Sequence, residues 1–262
     1  MRSPGELPLT YEGHMFPRKV RFAFAAALVA ILTGAVCPAL AGAAASKGSP
    51  TDHAWKAIQK GDYRTALAEL DPLAAKGDPN AQFLLGMLYD AGHGVPQDQA
   101  RAASLYRKAA EQKHLPAQLF LGILYYSGQG VTKDPAEAAR WFRGAAEGGN
   151  AEAQFYLGSL YATGSGVTQD DSAAILWFGK AAAQQHTRAM GMLATALFSR
   201  HRGDQDLVDA YAWSHLAAEM DAVQAMTSAR AVIEQYCNDD QKKRGQRAMA
   251  DWKRKWSSEG KR

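Results

Sequence analysis

Shifted against itself by 36 residues, the chain aligns without a gap over three consecutive segments, 81–116, 117–152 and 153–188. A fixed period of this length means one supersecondary unit stacked on copies of itself, because such a unit cannot bury its apolar face alone. Each segment opens Ala-Gln and reaches Leu85-Gly86, Leu121-Gly122 or Leu157-Gly158, with Tyr89, Tyr125 and Tyr161 three residues beyond the glycine. Gly-x-Gly-Val follows (92–95, 128–131, 164–167), then Asp98, Asp134 or Asp170, then the pairs Ala109-Ala110, Ala145-Ala146 and Ala181-Ala182. The frame weakens on both sides. Asp62 and Ala66 keep it before the first full unit; Leu193, Asp206, Trp213 and Ala217-Ala218 keep it after the last, while Leu-Gly becomes Leu193-Ala194 and the glycine turn becomes Arg200-His201-Arg202-Gly203. Atypical end units are expected of an array that must close itself off.

Each unit reads as two antiparallel helices. Asp78-Pro79 and Asp134-Pro135 set a capping acceptor before a proline that needs no helical partner for its missing N–H. Gly77 and Gly148 stand where left-handed C-caps are wanted, and Gly-x-Gly suits a short reversal between helices. Ala81, Leu85, Leu88 and Tyr89 share a stripe on the first helix; Ala102, Tyr106 and Ala109 share one on the second, with Trp141-Phe142 and Trp177-Phe178 at the bulky positions. Gly86, Gly122 and Gly158 recur inside the first helices, where glycine costs about 0.5–1 kcal/mol against alanine, so a close neighbour must offset them. The fold class is all-α, a solenoid of stacked helix pairs: an atypical unit at 52–80, full units at 81–116, 117–152 and 153–188, a degenerate unit at 189–224, then capping helices and a basic tail at 225–262.

The pattern A-x-x-x-L-G-x-x-Y-x-x-G-x-G-V-x-x-D, with W-F or L-Y and A-A following, resembles the Sel1-like repeat family, relatives of tetratricopeptide repeats, over roughly 52–224. The resemblance implies a right-handed superhelix whose first helices line a concave surface used to bind proteins or peptides. Cysteine-rich members that bind penicillin-type compounds suggest an alternative, an enzyme or small-molecule binder. They are stapled by a cysteine pair per repeat, and this chain departs from them there: Cys37 lies in the leader described next, leaving Cys237 alone.

The N-terminus reads as an export address. Arg18-Lys19-Val20-Arg21 is a basic region, Phe22 to Val36 is an uncharged run of 15 residues, and Pro38-Ala39-Leu40-Ala41 offers a cleavage site after Ala41. As a helix that run spans roughly 22 Å, short of a ~30 Å hydrocarbon core. Residues 1–14 carry acids and prolines a leader does not need, so Met15 is the expected start, residues 1–41 are signal peptide and 42–51 a linker. The expected location is periplasmic or secreted.

Charge is asymmetric. Residues 42–241 hold 17 Lys and Arg against 22 Asp and Glu, a net of −5; residues 242–262 hold 9 against 2, a net of +7. An acidic body argues against a nucleic-acid surface, which needs several cations on one face. No Gly-x-Gly precedes Lys-Ser or Lys-Thr, and the seven histidines include no His-Glu-x-x-His. His114 and His186, at equivalent positions, are read as exposed residues closing second helices. Asp98, Asp134 and Asp170 are read as caps, and Ser199, His201 and Asp204 as loop neighbours rather than a triad. The expectation is no catalytic residue, no cofactor and no metal, with another protein or peptide as partner.

With the core stripe at Ala81, Leu85 and Leu88, the residues pointing away are Phe83, Met87 and Asp90, then Leu119, Ile123 and Tyr126, then Phe155, Ser159 and Ala162. Phe83, Met87, Asp90, Leu119, Ile123, Tyr126 and Phe155 are therefore the expected partner-binding residues of the concave face, the alternative being that they pack between repeats. In the tail, Met249, Trp252 and Trp256 share one helical face opposite the cations. That helix reads as a cap; Lys253, Arg254 and Lys255 are its candidate contact to an anionic membrane surface or acidic partner.

Overall fold

The computed structural model describes residues 49–200, 202–220 and 224–259; the leader, Met15, Ala41, Cys37 and His201 lie outside them. Every element among them is a helix. An N-terminal pair, α1 (Asp52–Gln59) and α2 (Tyr63–Ala75), precedes three pairs built alike: α3 (Pro79–Ala91) with α4 (Gln99–Glu111), α5 (Leu115–Ser127) with α6 (Pro135–Glu147), and α7 (Ala151–Thr163) with α8 (Asp171–Ala183). The degenerate unit is α9 (Thr187–Arg200) with α10 (Asp204–Glu219), followed by α11 (Gln224–Tyr236) and α12 (Asp239–Glu259). From α1 to α11 each helix packs on the next, and α12 returns to pack on α10, which makes the array a solenoid closed by its last helix.

The sequence signals for helix ends hold with two exceptions. The side chains of Asp98, Asp134 and Asp170 accept from backbone N–H groups in the first turns of α4, α6 and α8. Gly77 is left-handed as expected, but Gly148 is not; Gly149 takes the positive φ of 92° one residue later. The second exception is His114 and His186, which lie beyond the second helices. Each Nδ1 accepts from the N–H of Ala117 or Ala189 at 3.2 Å, so each imidazole starts the next first helix, in the column held by Asp78 and Asn150.

The internal glycines are packing sites. A Cβ on Gly86, Gly122 or Gly158 would lie 2.7–2.8 Å from the ring of Tyr106, Phe142 or Phe178, each fully buried. In the degenerate unit the same columns hold Ala194 and Ser214, the glycine enlarged and the ring cut back, and both are buried.

Three ties recur where one unit meets the next. The second glycine of each turn seats on the first turn of the preceding unit's second helix: a Cβ on Gly130 would collide with the Gln99 backbone, and one on Gly166 with that of Pro135. Arg107 donates to the Tyr125 hydroxyl, and Arg143 to that of Tyr161 at 2.8 Å. Buried Gln82, Gln118 and Gln154 donate through Nε2 to the carbonyls of Ala74, Ala110 and Ala146 at the ends of the preceding helices. At the fourth junction all three columns change: Arg202 stands for the glycine, Gly179 for the arginine with Leu197 for the tyrosine, and Met190 for the glutamine.

The C-terminal helix covers that end. Met249 is buried, Trp252 and Trp256 pack around Trp213, and Trp256 Nε1 donates to the Ala183 carbonyl at 3.0 Å. Gly245 lets α12 approach α10, since a Cβ there would lie 2.6 Å from the Tyr211 ring.

Candidate functional site

Of the expected concave-face residues, five are not on an open surface. Phe83, Met87, Leu119, Ile123 and Phe155 are only 3–8% exposed. A first helix here meets its own second helix and both neighbouring units, so residues pointing away from one core stripe enter another interface. Phe83 packs against Tyr106 and, across the junction, against His114 and Phe120; Phe155 stacks on His186 at 5.1 Å. Ser159 is buried too, its hydroxyl returned to the Phe155 carbonyl. Asp90, Tyr126 and Ala162 remain half-buried. Burial raises the Asp90 carboxyl above its usual range and the Tyr126 phenol likewise.

Beside them lies a cluster the sequence reading did not single out. Tyr156, half-buried on α7, stacks on Phe142 at 4.9 Å. Glu152 accepts from His186 Nε2 at 2.7 Å and from Arg188, whose guanidinium lies 4.6 Å from the Phe155 centroid. Burial would raise the Glu152 pKa, but the donors from His186 and Arg188 bring it down to about 2, so the carboxylate is ionised. Burial and that carboxylate push Tyr156 up to about 12, so its phenol stays protonated. Tyr126, Tyr156, Glu152 and Arg188 thus join α5, α7 and α9 in one aromatic and charged patch. The visible signal was the column 84, 120, 156, 192, which runs Leu, Phe, Tyr, Met and opens outward along the array.

A second feature lies at the fourth junction. A cleft of about 620 Å³ is lined by Arg143, Tyr161, residues 167–172 and Arg202. Tyr161 takes one donor of Arg143, and Asp170 is committed to capping α8 through Ser172 and Ala173 N–H.

The tail cations are engaged within the fold. Lys253 pairs with Glu219, Arg254 with Asp251, and Lys255 Nζ sits 5.0 Å from the Trp252 centroid. Asp204 is bound by Arg244 and Gln241. Among the described residues no group of three His, Cys, Asp or Glu could hold a metal, and no helix is long and apolar enough to cross a membrane.

The Sel1 repeat family model matches at 79–114, 115–150, 151–186 and 187–221, two residues ahead of the frame read from the sequence and beginning with the helices themselves. A protective antigen of uropathogenic Escherichia coli displaying an SLR fold is 31% identical, with a TM-score of 0.66 over 75% of this chain and 42% of that one. A Sel1 repeat protein from Oxalobacter formigenes is 30% identical, with a TM-score of 0.62 over 66% of this chain and 69% of that one. The chain thus spans less than half of the antigen's structure. No curated protein sequence matches it.

Proposed function

Because the chain belongs to the Sel1 repeat family, whose members are in general non-catalytic protein-interaction modules, we propose that it is an exported scaffold of the bacterial envelope that binds another protein or peptide. The observation that carries the reading is the patch of Tyr126, Tyr156, Glu152 and Arg188. Tyrosine and arginine around a buried rim are the composition of binding hot spots, where rigid rings and a forked guanidinium give contact area at low entropic cost. The first-helix positions that stay partly open, Asp90, Tyr126 and Tyr156, supply the contacts on the concave face; Phe83, Met87, Leu119, Ile123 and Phe155 shape that face from beneath. Export rests on the leader, with the mature chain beginning near Gly42.

Affinity capture from an envelope extract tests this. Tyr126→Ser combined with Arg188→Gln should leave helix content unchanged by circular dichroism and abolish capture. Undiminished capture by a folded variant rejects the patch, and N-terminal sequencing that finds residues 1–14 intact in envelope protein rejects the leader.

A further inference from the structure

The fourth junction loses its seat, its Arg–Tyr tie and its glutamine tie together; Met190 and Leu197 fill the glutamine and tyrosine columns as buried bulk, while the glycine seat gives way to open space. Arg202 occupies the column where Gly94, Gly130 and Gly166 press on the preceding unit, and a Cβ on the following Gly203 would meet nothing within 4 Å. The turn therefore stands off, leaving the cleft between the starts of α8 and α10.

On α8 the same face continues from Ser172 to Leu176 and Gly179, one and two turns along. Leu176 is 54% exposed where sister units carry Ser104 and Arg140, and Gly179 faces open space where they carry Arg107 and Arg143. A charged outer face has become apolar and flat. Beside it are two guanidiniums: Arg143, with one donor on Tyr161, and Arg202, whose side chain has no ion pair among the described residues. Asp170 is used as a cap, Asp171 sits at the positive end of α8, and Asp206, which feels the Arg202 charge, accepts from Arg200 and from the Arg202 backbone N–H, so none of the three forms an ion pair with the Arg202 guanidinium.

We propose that this groove binds an extended acidic–apolar polypeptide segment, with a carboxylate held by Arg143 and Arg202 and a neighbouring aliphatic side chain laid on Leu176 and Gly179. Guanidinium takes carboxylate through paired donors, which fixes the segment's direction, and the apolar strip sets the spacing to the next side chain. This deepens the reading of the chain as a protein-binding module, on a surface separate from the Tyr126–Tyr156 patch.

Fluorescence anisotropy with the full chain decides it. The probe is a labelled octapeptide, Gly-Asp-Glu-Leu-Gly-Glu-Leu-Gly, compared with its Asn/Gln version, its Ser-for-Leu version and one carrying Lys for each acid. The acidic peptide should bind saturably, with the amide version at least tenfold weaker and the serine version several-fold weaker. Arg202→Gly, which restores the consensus glycine, should abolish binding without lowering the melting temperature; Arg143→Gln and Arg202→Gln should each weaken it about tenfold while keeping the cleft. No saturable binding, equal binding of the amide peptide, tighter binding of the lysine peptide, or binding indifferent to Arg202 overturns the proposal. Failure here with capture still dependent on Tyr126 and Arg188 would remove the groove alone, while peptide binding retained after capture is rejected would leave the groove standing.

Discussion

The second and third junctions of this array are fastened by a backbone seat and polar side-chain ties, whereas the fourth is fastened by apolar bulk and a borrowed helix. At Gly130 and Gly166 the turn lies directly on the preceding chain, and a buried glutamine reaches across to a helix-end carbonyl. At the fourth junction Met190 is buried in place of that glutamine, and Trp256 reaches from α12 to the carbonyl next to the one a glutamine would have used. Repetition supplies geometric fasteners; where they are absent, bulk and the C-terminal cap substitute for them.

The largest test of this difference is Gly166→Val. A branched side chain at φ 70° aimed at the Pro135 backbone has nowhere to go, and urea denaturation should show a loss of about 3 kcal/mol or more. Arg202→Gly, in the same column, should stay within about 0.5 kcal/mol of the parent, as surface changes commonly do. Equal losses would erase the distinction between the junctions.

Next in size, Gly122→Leu should cost about 1 to 3 kcal/mol by driving a side chain into the Phe142 ring, and Ala194→Leu less, because Ser214 stands where the ring was. Thermal melts in the reverse order would mean that Ser214 does not relieve that column.

His114 sharpens the comparison through pH. Burial lowers its pKa to about 4 from 6.5, so the unfolded chain binds a proton the folded chain refuses. The stability this group contributes is complete above pH 6.5 and is lost as pH falls from 6.5 towards 4, on the order of 1 to 3 kcal/mol in all. His114→Asn, which caps as Asn150 does, should flatten that part of the stability profile. An unchanged slope between pH 6.5 and 4 would show that the imidazole does not titrate there.

The smallest expected effect is a repair. Gln112 and Gln184 donate to Gln82 and Gln154, but Gly148 holds that column opposite Gln118, whose Oε1 is buried without a partner. Leu115 overlies the glycine, so Leu115→Ala with Gly148→Gln should supply the missing donor and raise stability by about 1 kcal/mol, read from denaturant midpoints. Unaltered stability would mean solvent already satisfies the oxygen.

The fold was legible because period, Asp caps and glycine columns each act locally and point the same way. Gly86, Gly122 and Gly158 announced a close neighbour, and the rings of Tyr106, Phe142 and Phe178 are it. The binding face was less legible for a geometric reason: one core stripe on a helical wheel implies one buried side, whereas residues 81–89 are buried all round by three neighbours. Phe83, Leu119 and Phe155 therefore looked outward when they were interfacial. His114 was misplaced because histidine is not among the preferred N-caps, although Asp78 and Asn150 in its column carried the signal. The fourth-junction groove was written in the same way, as three column changes at 179, 197 and 202, and needed the neighbouring units as a ruler before it could be seen.

The single bond from Trp256 to Ala183 gives the array a mechanical asymmetry. Load on the fourth junction would be shared between the buried α8–α9 contact and α12, whereas no later helix crosses the second or third, so cutting the strap would be felt at one joint and not at the others.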